Sequence, residues 1–143
     1  FKGVQFDCDD TLFRIILPSG RHLAYYEPKI AHNPKFDTSC ITYKGVDQVK
    51  KIWCTIDTYG GKIVENIVQA VSRDILAHSM IRLKEEGFIT VMHVHDEVIC
   101  EIDKENQEEQ LERMCEIMSE NIPWAPGLPL AADGYLTEFY KKA

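Results

Sequence analysis

No run of apolar residues approaches the ~20 needed to span a bilayer, and nothing at the start has the charged, apolar and small-residue order of a signal peptide. The sequence also lacks any C-x-x-C pair. Its five cysteines, Cys8, Cys40, Cys54, Cys100 and Cys115, are odd in number and widely spaced. That pattern gives neither a structural zinc site nor a disulfide framework and points to reduced thiols. An excess of positive charge is missing too. The net charge is −7, whereas a free-standing nucleic-acid binder is usually basic because phosphate neutralisation supplies much of its affinity. There is no internal repeat, low-complexity tract or interdomain linker. The chain opens on Phe1 without a methionine, as expected of a piece cut from something longer or of a removed tag.

What is present suits one α+β domain. The 143 residues and an apolar fraction of 45% allow a real hydrophobic core. Residues 1–58 read as a β-rich hairpin segment. Two β-prone stretches in RIILPSGRHLAYY, residues 14–26, flank a Pro18-Ser19-Gly20 turn, and Lys44-Gly45 marks a second hairpin within residues 40–56. Residues 59–143 change period after Tyr59-Gly60-Gly61. From Lys62 to Glu86 apolar residues recur at Ile63, Ile67, Val71 and Ile75, and at Val64, Val68, Leu76, Met80 and Leu83. This is the spacing of a long amphipathic helix, with Gly87 as its C-terminal cap. Two short strands, 88–94 and 97–102, enclose His95-Asp96. A shorter helix over Lys104–Glu120 opens on Asp103 as N-cap. LPLAADGY near the end is expected to give a short, proline-limited edge strand.

Two acidic motifs carry candidate chemistry. The first, VQFDCDDTLF at residues 4–13, looks like the D-x-D-x-T-L signature of haloacid-dehalogenase-type phosphatases. In that family Asp7 would attack phosphorus and Asp9 would act as acid and base. The fold requires alternating strands and crossover helices after the motif, and hairpin signals follow instead. The motif is therefore read as an acidic turn between two strands, with the phosphatase as an alternative.

The second is VMHVHDEVICEI, residues 91–102, with His93, His95, Asp96 and Glu97 between apolar flanks. Charged groups among such residues are costly unless something uses them. A rigid hairpin that raises Asp96 and Glu97 at its tip suits Mg²⁺, which takes few protein carboxylates and shares substrate phosphates. Adjacent residues on a strand point to opposite faces, so Asp96 is the expected direct ligand. His93 and His95, on one side of a strand, could instead start a zinc site, but two further ligands are wanting. A solvated acidic turn with incidental histidines is the plain alternative.

M-H-V-H-D-E-V resembles the metal-binding hairpin of family A (Pol I-type) DNA polymerases, where V-H-D-E follows a long helix and a strand. Other segments resemble the phage branch of that family in the same order. They are LPSGR at 17–21 with Leu23 and Tyr25, DTYGGKIVENIVQAVSRDIL at 57–76, PWAPGLPLAADGY at 123–135, and Phe139-Tyr140. The resemblance implies part of a polymerase palm, with Asp96 binding catalytic Mg²⁺, Glu97 a secondary acid and His95 beside the primer terminus. His93 has no clear family role and is read as structural. Gln69 matches a glutamine that the family places near primer–template DNA, and Asn66 lies one position from an asparagine of the cellular enzymes.

The helix adds its own pattern. Lys62, Asn66, Gln69 and Arg73 fall within roughly 60° on one face. This stripe of hydrogen-bond donors suits the acceptors that every base pair presents in the minor groove, although a solvated polar face would have the same composition. The family's D-Y-S-x-x-E strand, with the first metal-binding aspartate, and its nucleotide-binding helix are not in the chain.

The expectation is thus a C-terminal palm portion of a phage or prophage DNA polymerase, inactive alone and acting in a bacterial host cytoplasm. Its partners would be primer–template DNA, deoxynucleoside triphosphates and the remainder of the polymerase chain. A degenerate palm kept as an interaction module is the non-enzymatic alternative.

Overall fold

The structure is a computed structural model and describes residues 3–33 and 37–140. It is α+β as expected, with two antiparallel sheets, one long helix and one shorter helix. Two compact units, Phe1–Val71 and Ser72–Ala143, divide the chain. No helix among the described residues is long and apolar enough to cross a membrane.

The first unit holds a five-stranded antiparallel sheet of sequential hairpins: β1 (Gln5–Cys8), β2 (Leu12–Ile16), β3 (His22–Asn33), β4 (Thr38–Val46) and β5 (Trp53–Thr58). Period-2 alternation decides its faces. Phe13, Ile15, Leu23, Tyr25, Ile41 and Tyr43 gather with Ile63, Ile67 and Ala70 of helix α1 (Gly60–Glu85) into one core. Within it the Tyr25 and Tyr43 rings meet edge-to-face at 4.9 Å.

The β2–β3 turn falls at Pro18-Ser19-Gly20 as expected, with Gly20 at φ +87° and its N–H donating to the Leu17 carbonyl. β3 contains Pro28, which cannot donate to a ladder. The register shifts between Tyr26 and Lys29, so the proline sits at a bulge.

The second hairpin exists, but Lys44-Gly45 is not its turn. Both residues lie inside β4, and the chain reverses over Asp47–Ile52. The Asp47 carboxylate accepts the N–H groups of Val49 and Lys50, and Lys51 takes the left-handed conformation at φ +56°. An aspartate side chain thus closes the loop that glycine was expected to close. Gly45 serves packing instead, because a Cβ there would lie 3.2 Å from both Tyr43 and Ile56.

The second unit comprises the C-terminal part of α1, the hairpin of β6 (Ile89–Val94) and β7 (Glu97–Glu101), and helix α2 (Gln107–Met118). Leu83, Met114 and Ile117 form its core with Phe88, Val98, Cys100 and Met118. Gly87, at φ +91°, ends α1 as expected. Its N–H reaches the Lys84 carbonyl while that of Phe88 reaches Leu83, the paired bonds of a Schellman cap. Arg82 bridges Glu85, Glu86 and Glu120, and Arg113 bridges Glu86 and Glu116. The hydrogen bond to Glu120, followed by that to Glu85, raises the Arg82 guanidinium further above its already high range.

Two expectations fail here. α2 starts at Gln107, not Lys104, and its N-cap is Asn106 in the left-handed region without a side-chain cap bond. The Gln110 amide donates to the Glu105 carbonyl at 2.8 Å, which secures a turn where Asp103 was expected to open the helix. Among the described residues LPLAADGY forms no strand. The tail is held at single points instead: Ala132 N–H donates to Ser119 Oγ, and Gly127 N–H to Asn121 Oδ1.

Candidate functional site

The β6–β7 hairpin closes through a two-residue turn, His95-Asp96, above the Val94–Glu97 pair. His95 takes φ +52°. That breaks the strand alternation, so the expectation that His93 and His95 share a strand face fails: His93 remains in β6 opposite Val98, and His95 belongs to the turn. Asp96 is exposed at the tip and has no hydrogen bond or ion pair among the described residues. It is held out by the backbone and not drawn into local contacts. Glu97 is half-buried at the start of β7, and its carboxylate lies near enough to the Tyr140 hydroxyl to act on it electrostatically. Desolvation first, and then the Glu97 carboxylate, push the Tyr140 hydroxyl above its ordinary range. In the sequence Tyr140 stands out only through the terminal resemblance; no spacing rule links it to Glu97.

Among the described residues, no three His, Cys, Asp or Glu side chains converge as a group that could hold a metal ion. The hairpin acids therefore fit a cation only partially. An exposed carboxylate with a second beside it suits a hard ion that keeps most of its water and takes further ligands from elsewhere.

The four-residue stripe is present on α1, but it is not composed of free donors. Lys62 Nζ and Gln69 Nε2 both donate to Glu65 Oε1, at 2.8 and 3.2 Å. The i,i+3 and i,i+4 spacing of Glu65 to the two partners is a signal present in the sequence. That hydrogen bond also raises the Lys62 ammonium above its ordinary value. Asn66 is half-buried and donates to the Tyr25 hydroxyl at 3.0 Å, which pins α1 to the first unit's sheet. In the second unit Arg73 Nη2 lies 3.4 Å from His93 Nε2, so His93 has a polar neighbour although it is exposed.

The FDCDDTL segment runs from β1 through the Asp9–Thr11 turn into β2, so the acidic turn read from the sequence is present, with Asp7 in the strand before it. Asp9 Oδ1 accepts the N–H groups of Thr11 and Leu12, and these bonds lead the causes that lower its pKa. Arg14 clamps Asp7 at 2.6 Å and Asp9 at 3.0 Å. Both candidate phosphatase carboxylates are thus engaged in holding an antiparallel turn, and the phosphatase alternative is not favoured.

The α+β architecture, an exposed carboxylate on a hairpin tip and a polar helix stripe meet in a chain whose likeness is to the DNA polymerases. The chain is 46% identical over 140 residues to the DNA polymerase of Bacillus phage SP02. The match covers 98% of this chain and 21% of that protein, so the chain spans about a fifth of the polymerase it resembles. No protein-family model and no solved structure matches it.

Proposed function

We propose that this chain is the C-terminal palm portion of a family A-type, phage-class DNA-directed DNA polymerase. Asp96 supplies one of the aspartates that hold catalytic Mg²⁺. Support comes from likeness along nearly the whole chain to a phage DNA polymerase, combined with Asp96 standing exposed and unpaired among the described residues at the tip of the β6–β7 hairpin. Mg²⁺, when bound, would activate the primer 3′-hydroxyl and neutralise charge on the departing pyrophosphate.

This chain's own residues position and recognise. Glu97, half-buried beside Asp96 and near Tyr140, is the secondary acid. His95, in the turn, can donate to a primer phosphate. Lys62, Gln69 and Arg73 contact primer–template DNA, while Asn66 acts mainly by fixing α1 through Tyr25. A two-metal site needs two aspartates, so the partners required are the remainder of a polymerase chain, primer–template DNA and deoxynucleoside triphosphates.

The test is primer extension by the purified 143-residue chain with Mg²⁺ and all four nucleotides. No extension is expected. Robust Mg²⁺-dependent nucleotide addition by the chain alone would refute the reading.

A further inference from the structure

The acidity of the chain is confined to one unit. Residues 1–71 carry nine Lys and Arg against eight Asp and Glu, whereas residues 72–143 carry seven against fifteen. The bulk charge, which argued against nucleic-acid binding, says nothing against the first unit.

In that unit only one face of the sheet meets α1. On the other face, Tyr26 of β3 pairs with Lys44 of β4, and Val46 of β4 pairs with Trp53 of β5. Alternation puts Tyr26, Lys44, Val46 and Trp53 on the same side. The Tyr26 and Trp53 rings lie 6.2 Å apart across β4, with 40% and 61% of their surface exposed. Beyond them the Asp47–Ile52 loop presents Lys50 and Lys51, both exposed. Its one acid, Asp47, spends its carboxylate on backbone N–H groups. Lys44, Lys50 and Lys51 make no ion pair among the described residues, while Lys62, Lys104, Arg14, Arg82 and Arg113 all do.

We propose that this open face is a binding surface for single-stranded nucleic acid, with bases stacked separately on the Trp53 and Tyr26 rings, which are inclined at 57° to one another, and phosphates on Lys44, Lys50 and Lys51. Charge complementarity selects this occupant. An apolar protein partner would leave three cations to desolvate without acids, whereas a nucleic-acid strand offers a π-face to each ring and an anion to each lysine. Duplex DNA keeps its bases stacked on one another and so gives the rings nothing to receive. The surface is the face of the first unit's sheet that does not meet α1, and the inference does not depend on nucleotidyl transfer.

The experiment is fluorescence anisotropy of a short labelled oligo-dT strand against the 143-residue chain at low salt, without metal or nucleotide. Parallel runs use the same strand in a duplex, a Trp53→Ala variant, a Trp53→Phe variant and a Lys50→Ala/Lys51→Ala double variant. Circular dichroism checks the fold of each. Trp53→Ala should weaken binding of the single strand about 5- to 150-fold, and Trp53→Phe should recover most of the loss. The lysine pair should lower the slope of log K against log salt by about 1.4, an effect that lost stacking would not produce. Should Trp53→Ala not fold, the lysine variant and the preference for single strand over duplex decide. Absent binding by the wild type, equal affinity for duplex, or variants that bind like the wild type would each overturn the proposal. Because no catalytic step is measured, its failure leaves the polymerase reading standing, and the reverse also holds.

Discussion

At the scale of single residues, the site divides into side chains held out and side chains tied down. Asp96 belongs to the first group: exposed and without a hydrogen bond among the described residues, it can be replaced without disturbing the hairpin, and under the proposed function its replacement takes away a metal ligand. In a full-length polymerase carrying this chain, Asp96→Asn is expected to lower the rate of nucleotide addition about 10³-fold or more, since a lost metal contact forfeits several kcal/mol of transition-state stabilisation. Glu97→Gln should cost nearer ~10-fold. Unchanged polymerisation in Asp96→Asn would favour the degenerate interaction module. Asp9 and Asp47 belong to the second group. The N–H groups of Thr11 and Leu12 lower the pKa of Asp9, and those of Lys50 and Val49 lower that of Asp47. A depressed folded-state pKa gives stability that is present above the unfolded value and lost as pH falls through the folded one. Thermal melts should therefore show an acid limb that begins at the ordinary aspartate range and continues below it. The Asp9→Asn/Asp47→Asn variant should flatten that limb; an unaltered limb would mean that these turns carry no part of the acid sensitivity.

Elements were legible where one physical rule acted alone. Helix α1, its Gly87 stop, the β2–β3 turn and the β6–β7 hairpin each follow from periodicity or backbone freedom, and each is found within a residue or two of its expected position. Reading failed where side chains compete for the backbone. Asp47 took over the turn assigned to Lys44-Gly45, Gln110 delayed the start of α2, and Ser119 and Asn121 hold a tail that was expected to pair as a strand. The candidate site shows the same division. His95, Asp96 and the spacing of Lys62, Asn66, Gln69 and Arg73 could be read, but not the capture of Lys62 and Gln69 by Glu65, nor the bond of Asn66 to a tyrosine 41 positions away. Two substitutions weigh the legible part. Gly87→Ala places a Cβ in the left-handed region and should destabilise by about 1 kcal/mol. Leu83→Ala, at a fully buried position, should cost about 2–5 kcal/mol. Urea unfolding followed by far-ultraviolet circular dichroism measures both. Equal effects would contradict the view that the Leu83 core, more than the α1 cap, stabilises the second unit.

For the whole molecule, charge distribution sets what the chain can grip unaided. The second unit, which carries the β6–β7 hairpin, has more than twice as many acids as bases and should repel a phosphate backbone except near Arg73. On α1, Lys62 must leave Glu65 before it can meet DNA, so each duplex contact is made at the expense of an existing one. Affinity of the isolated chain for primer–template duplex is therefore expected to be no better than ~10⁻⁶ M at physiological salt, the range of non-specific binding, and to fall with log[salt] at a slope of about −0.9 per phosphate neutralised. Glu65→Gln should release Lys62 and Gln69 and tighten duplex binding by a few fold, at about 1.4 kcal/mol per factor of ten. The stripe reading predicts that gain, whereas a solvated polar face would gain only from the charge removed, equally for any exposed acid. Asp133→Asn, an exposed acid in the tail, supplies that comparison. Titration of labelled duplex at several salt concentrations measures all three proteins, and nanomolar, salt-resistant binding or equal gains from the two substitutions would remove α1 from the DNA interface.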